Sequence, residues 1–246
     1  MPATVTTGYF RASREPRYSL LFALPLLVLY EVLAALLPYS ETHGVRNGAD
    51  VILRSLFIFI AGAYGPLLFR IVLIGVGAWL VRRDIARHGA RLRSSIFGGM
   101  LVESLVLAVV FGIVVGTITA RVLGVLGAFA MAPMGQLDFP TRLMVSLGAG
   151  LYEELLFRVI LVSALALIGQ RAFGWRPWVA GAWATVVGAF IFSAFHYIGP
   201  YGDTLQLQSF LFRMIGGVVF SALYLLRGFG IVAWTHAGYD VLLLLR

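Results

Sequence analysis

The amino-acid sequence predicts an all-α polytopic membrane protein, a single-domain bundle of seven or eight transmembrane helices. Hydrophobic residues make up 60% of the 246 positions and charged residues only 12%. The mean hydropathy is +0.92, and long apolar runs recur from end to end. A soluble domain of this length needs far more polar surface to cover its core.

The runs lie at roughly 18–38, 51–81, 96–129, 139–168, 178–197, 205–226 and 229–245. A helix needs about 20 residues to cross the hydrocarbon. The polar, arginine-bearing start "MPATVTTGYFRASREPRYSL" leads into a run with no small-residue cleavage site, which reads as a first span and not as a signal peptide. The run 51–81 is too long for one straight crossing and contains Gly62, Gly65 and Pro66. It is either one bent span preceded by an interfacial piece, or two short spans.

Charge chooses between these. Arg11, Arg14 and Arg17 place the N-terminus inside, and "RRDIARHGARLR" (82–93), with five arginines, belongs inside too. An even number of crossings must separate them, which favours one full span across 51–81. The same rule puts Arg171, Arg176 and Arg227 inside and "GPYGD" (199–203) outside. That gives seven spans, or eight if 51–81 crosses twice, in a cell (inner or plasma) membrane with a cytoplasmic N-terminus.

All 19 basic residues are arginine, and the net charge of +8 raises the possibility of a nucleic-acid partner. The arginines instead sit in short segments between apolar runs, as topology signals do. Neither G-x-x-x-x-G-K-[ST] nor G-x-G-x-x-G occurs, so no nucleotide partner is expected. Cysteine is absent, which excludes disulfides, thiolate metal sites and a cysteine nucleophile. "GIVVG" (112–116) has the small-xxx-small spacing that permits close helix approach.

Function is carried by ionisable residues inside the apolar runs, where a charge near the membrane centre costs at least about 2.5–3.5 kcal/mol. The informative set is Glu153, Glu154, Arg158, His196, His236 and Asp240, all in the last four spans. In "GLYEELLFRVI" (150–160), Glu154 and Arg158 are four apart and share a helix face. Glu153 points about 100° away on an α-helix and is left without a full counter-charge. A desolvated carboxylate of that kind suits a group that takes and returns protons. The alternative is one structural ion cluster of all three.

His196 closes "FSAFH" (192–196) near a membrane face, where a lone histidine is usually interfacial. In "HAGYD" (236–240), Asp240 can accept a hydrogen bond from His236, fixing its tautomer and aiming the other nitrogen. Together these groups can activate water against an acyl carbon and stabilise the oxyanion. Through Glu153, His196 and His236 they can equally hold a zinc ion with a position open for water. Neither H-E-x-x-H nor G-x-S-x-G occurs, and Ser193 has no supporting context as a nucleophile.

The motifs Glu153-Glu154-Leu155-Leu156-Phe157-Arg158, Phe192-Ser193-Ala194-Phe195-His196 and His236-Ala237-Gly238-Tyr239-Asp240 stand in that order on three of the last four spans. This arrangement resembles the CPBP family: the type II CAAX prenyl endopeptidases and the bacteriocin-processing or self-immunity (Abi) proteins. The resemblance covers about 139–245, leaving 1–138 as helices without a motif and 139–246 as the catalytic helices. It implies an intramembrane endopeptidase acting on a membrane-associated protein or peptide within the lipid bilayer. By that analogy Glu153 and His196 activate water, His236 and Asp240 serve the oxyanion side, and Glu154 with Arg158 holds the architecture. The family's last motif more often ends in asparagine; an ionised Asp240 cannot donate a hydrogen bond, so its expected task is to orient His236. The family is described both as metalloproteases and as metal-independent glutamate-type proteases, so zinc stays an open alternative.

Two other readings remain. A non-catalytic immunity or scaffold relative would bind peptides or partner helices in the same pocket. A proton-coupled transporter would use the buried acids as a relay, but inverted repeats, which that reading requires, are not visible. Glu31, Arg54, Arg70, Glu103, Arg121 and Arg213 are expected to snorkel or to pair structurally, and His43 and His88 to lie in solvated loops.

Overall fold

The computed structural model describes residues 8–37, 45–124, 137–199 and 202–245. A short helix α1 (Tyr9–Ala12) precedes α2 (Pro16–Leu36), α3 (Gly48–Ala61), α4 (Gly65–His88) and α5 (Ser94–Leu123). Next come α6 (Phe139–Gly148), a π-helical stretch (Ala149–Val162) and α7 (Ser163–Ala172), which form one unbroken helical run. The chain finishes with α8 (Pro177–Phe195), α9 (Leu207–Arg227) and α10 (Phe229–Leu244). His43 lies outside the described residues.

Helix boundaries follow local chemistry. Pro16, Pro66, Pro140 and Pro177 stand in first turns, where a missing N–H costs nothing. The side chains of Asn47 and Asp138 accept from the backbone N–H groups of Ala49 and Thr141, capping α3 and α6. Gly228, at φ 80°, ends α9 and turns the chain straight into α10, a conformation that favours glycine.

By length and composition, Pro16–Leu36, Gly48–His88, Ser94–Leu123, Pro177–Phe195 and Leu207–Arg227 can cross a membrane, and Phe229–Leu244 is a shorter apolar helix. The outward faces are apolar: Phe59 is 88% exposed and Leu36 72%. Exposed apolar surface on that scale belongs against lipid.

The expected span 51–81 is not one helix. After Gly62, at φ 55°, a single 3-10 turn (Gly62–Tyr64) reverses the chain. Phe57 then packs on Phe69 with ring centroids 5.4 Å apart, and the Arg54 guanidinium lies 5.4 Å from the same ring. Neither contact is possible along a continuous helix, because 15 residues of helix span about 22 Å. So α3 is a short arm folded back on α4. The arginines require an even number of crossings between the N-terminal segment and 82–93.

That parity is visible in side-chain contacts. The backbone N–H of Arg17 donates to Asp84, its guanidinium donates to Gly89 O at 2.6 Å, and Arg93 N donates to the Tyr18 hydroxyl. Arg227 joins the same end by donating to Glu103, Phe10 O and Ser13. Glu103, bound there by Arg227 and by the Tyr9 hydroxyl, points away from the candidate site. His88 sits at the end of α4 with Nδ1 2.8 Å from Asp84 Oδ1.

Core packing places α10 centrally. Ala233 and Ala237 pack with Leu26, Tyr30, Leu147 and Tyr152 on one side. Val232 and Tyr239 pack with Phe111, Phe212 and Phe220 on the other. At Gly150 an added Cβ would stand 2.3 Å from Ala233 O, so only glycine allows the π-helical stretch to lie directly on α10. Of the "GIVVG" pair, Gly112 is pressed against the Tyr239 ring while Gly116 faces open space, so just one of the two glycines serves an approach.

Candidate active site

Every member of the sequence-predicted set converges in one place, between the π-helical stretch, α8 and α10. Glu153, Glu154 and Arg158 lie on the π-helical segment, not on the expected α-helix. Such winding is rare and concentrates at functional sites. All three are buried, Glu154 and Arg158 almost completely.

The two adjacent glutamates have different partners. Glu154 Oε2 faces Arg158 Nε at 3.2 Å, and its Oε1 meets His236 Nδ1 at 2.7 Å. Glu153 Oε1 accepts from Asn47 Nδ2 at 2.8 Å. Its Oε2 is buried without a hydrogen-bond partner among the described residues and stands 3.8 Å from His196 Nε2. That gap is too long for a direct hydrogen bond and is of the kind a single water spans. The expected division, one glutamate in an ion pair and the other left over, therefore describes the geometry.

Tautomers can be read from the acceptors. His196 caps the C-terminus of α8, and its Nδ1 lies 2.8 Å from Phe192 O. A carbonyl oxygen only accepts, so Nδ1 carries the proton and Nε2 faces Glu153. In His236, Nδ1 donates to the Glu154 carboxylate and Nε2 is directed towards Asp240.

Here the expectation for Asp240 is corrected. Its Oδ2 is 3.8 Å from His236 Nε2, beyond hydrogen-bond range. The carboxylate that fixes the His236 ring is Glu154, reaching across from another helix. One turn of α10 brings Asp240 beside His236, but the shorter approach from the π-helical stretch takes the ring proton.

Aromatic rings enclose the cluster. The Arg158 guanidinium lies 4.3 Å from the Phe192 ring centroid and 5.3 Å from that of Phe220. Its Nη1 and Nη2 have no hydrogen-bond partner among the described residues, and the ring faces supply their favourable contact. His236 stacks on Phe220 at 4.4 Å. Ser193 donates to Phe210 O at 2.7 Å, a structural bond between α8 and α9. Arg213 pairs with Asp203 just beyond the site, as a structural partner was expected to do.

For zinc through Glu153, His196 and His236, each imidazole offers its Nε2, the Nδ1–H being held by Phe192 O in one and by Glu154 in the other. Among the described residues, no group of three or more His, Asp or Glu side chains is arranged to hold a metal ion.

Sequence reading missed Asn47, which lies far from the motifs in a stretch that looked like a loop before a span. The one local signal was its place as a helix cap, and that gave no hint of Glu153.

No curated protein and no solved structure matches the chain. The family model described as "Type II CAAX prenyl endopeptidase Rce1-like" matches residues 135–242, a segment that contains all three motifs. That segment is similar to the type II CAAX prenyl endopeptidases, in line with the resemblance that the order of the motifs carries.

Proposed function

We propose that the protein is an intramembrane endopeptidase that hydrolyses a peptide bond of a membrane-anchored protein with water activated by Glu153 and His196. One observation carries the reading: a buried carboxylate oxygen with no hydrogen-bond partner among the described residues, Glu153 Oε2, faces an imidazole nitrogen 3.8 Å away. A water placed between them donates one proton to Glu153 and is oriented by His196 Nε2. As its oxygen attacks the carbonyl carbon, Glu153 takes the proton and later returns it to the leaving amine.

The developing oxyanion needs a donor. His236, protonated on both nitrogens, presents an Nε2–H while Glu154 and Asp240 supply counter-charge. Asp240 thus acts by charge and not by a hydrogen bond. Glu154 and Arg158 fix the frame on which His236 is held.

The substrate is a membrane-associated protein, cleaved near the bundle end that carries His196 and Asp203. With the arginine-rich end in the cytoplasm of a cell (inner or plasma) membrane, that end faces outward. A reporter fused within 202–206 that reads as cytoplasmic would overturn this orientation.

The test of function compares the protein termini of membrane fractions from cells with and without the gene. Termini that vanish on deletion return with the wild-type gene but not with Glu153→Gln or His196→Ala. A scaffold relative would act normally in both variants, and that result overturns the enzyme reading. The same variants, purified with and without chelator, test whether a metal takes part.

A further inference from the structure

We propose that Asn47 is a positioning residue that holds Glu153 by one oxygen and so leaves the other free to meet water. The inference rests on the reading of Glu153 as the water-activating base. Asn47 is 2% exposed, and its Nδ2 donates to Glu153 Oε1 at 2.8 Å.

The amide cannot be turned round. Its Oδ1 accepts from Ala49 N at 2.9 Å as the cap of α3, which forces Nδ2 towards Glu153. Its backbone N–H donates to the Tyr30 hydroxyl at 3.2 Å, and that hydroxyl donates to Asp50 Oδ2 at 2.9 Å. Asp50 is in turn held by Arg46 and Arg54, and Arg54 by Glu31. A charged, buried frame of α2 and α3 thus ends on a neutral donor at the site.

Neutrality is what suits the task. An arginine in this position would pair fully with Glu153 and quench it as a base; an amide orders the carboxylate without cancelling its charge. Space is made by Gly148, where a Cβ would lie 2.9 Å from Asn47 Cβ and 2.5 Å from the Tyr30 ring. The doubled-back arm α3 therefore completes the site from outside the matched segment 135–242.

Two variants keep the cap and remove the donor. Serine and aspartate both cap helices well, yet Asn47→Ser is too short to reach Glu153, and Asn47→Asp brings a like charge. The readout is the infrared carboxylate band of Glu153 in purified protein, isolated as each variant minus its Glu153→Gln double. We expect the band to move in both variants while the thermal midpoint stays at the wild-type value. An unmoved band, or both variants failing to fold, leaves Asn47 as a helix cap alone and overturns the proposal. Turnover of a quenched-fluorescence peptide with a farnesylated C-terminal CAAX motif forms a separate arm. There kcat falls about 10–100-fold, the scale of outer-shell partners, with KM unchanged. Glu153→Gln retaining turnover would sink the base reading without touching the infrared result.

Discussion

Glu154 and His236 are joined by a 2.7 Å contact between Oε1 and Nδ1, across two helical segments and 82 positions of chain. The second glutamate of the pair therefore does more than neutralise Arg158: it holds the His236 ring through Nδ1–H and so aims Nε2. One carboxylate ties the frame of the site to its imidazole.

Arg158→Ala tests the frame. The change leaves Glu154 buried with one cationic partner fewer, and breaking a buried pair from one side costs about 3–5 kcal/mol. Folded yield in detergent should fall and the thermal midpoint should drop. Arg158→Lys should recover only part of the loss, because an ammonium does not stack flat on Phe192 as a guanidinium does. An unchanged yield in Arg158→Ala would show that the pair with Glu154 does not hold the fold.

Glu153→Gln separates chemistry from folding. The amide keeps an oxygen for Asn47 and nearly the same volume, so the thermal midpoint should match the wild type. Loss of the proton acceptor should lower kcat by about 10²–10⁴-fold, the usual contribution of a positioned acid–base group. A midpoint that falls with the rate would instead mark Glu153 as part of the structural ion cluster.

Much of this was legible in the sequence, and the failures have physical causes. Glu153, Glu154, Arg158, His196, His236 and Asp240 stood out because charge in an apolar run is costly and needs a reason. Crossing parity followed from arginine placement, and the contacts of Arg17 with Asp84 and Gly89 bear it out. Gly62, Gly65 and Pro66 marked a break in 51–81, but not how far the chain turns there, because a positive φ leaves no mark beyond a glycine in a chain with 28 of them. The partner of His236 did not show. Spacing along a helix proposes Asp240, and only packing between helices reveals that Glu154 comes closer.

That correction makes Asp240→Asn informative. With Oδ2 at 3.8 Å from His236 Nε2, Asp240 contributes charge but no hydrogen bond. The variant should fold normally and, with the His236 ring still held by Glu154, lose less activity than Glu154→Gln. Measuring kcat for both variants decides the matter. If Asp240→Asn is the more damaged, orientation of His236 runs through Asp240 after all.

The approach of the π-helical stretch to α10 makes the last prediction, a contrast between two glycines. At Gly150 an added methyl would stand 2.3 Å from Ala233 O and 2.6 Å from Ala237 Cβ. The first of these is backbone, so relief requires the two segments to part. Overpacking of this kind costs about 1–3 kcal/mol. It also lengthens the Glu154–His236 contact, so Gly150→Ala should lose activity beyond what its fall in thermal midpoint explains. Gly116 has nothing within 4 Å of the same added atom. There alanine is the better helix former by about 0.8–1.0 kcal/mol, so Gly116→Ala should keep full activity with an equal or higher midpoint. If both variants behave alike, the contact at Gly150 does not set the geometry of the site.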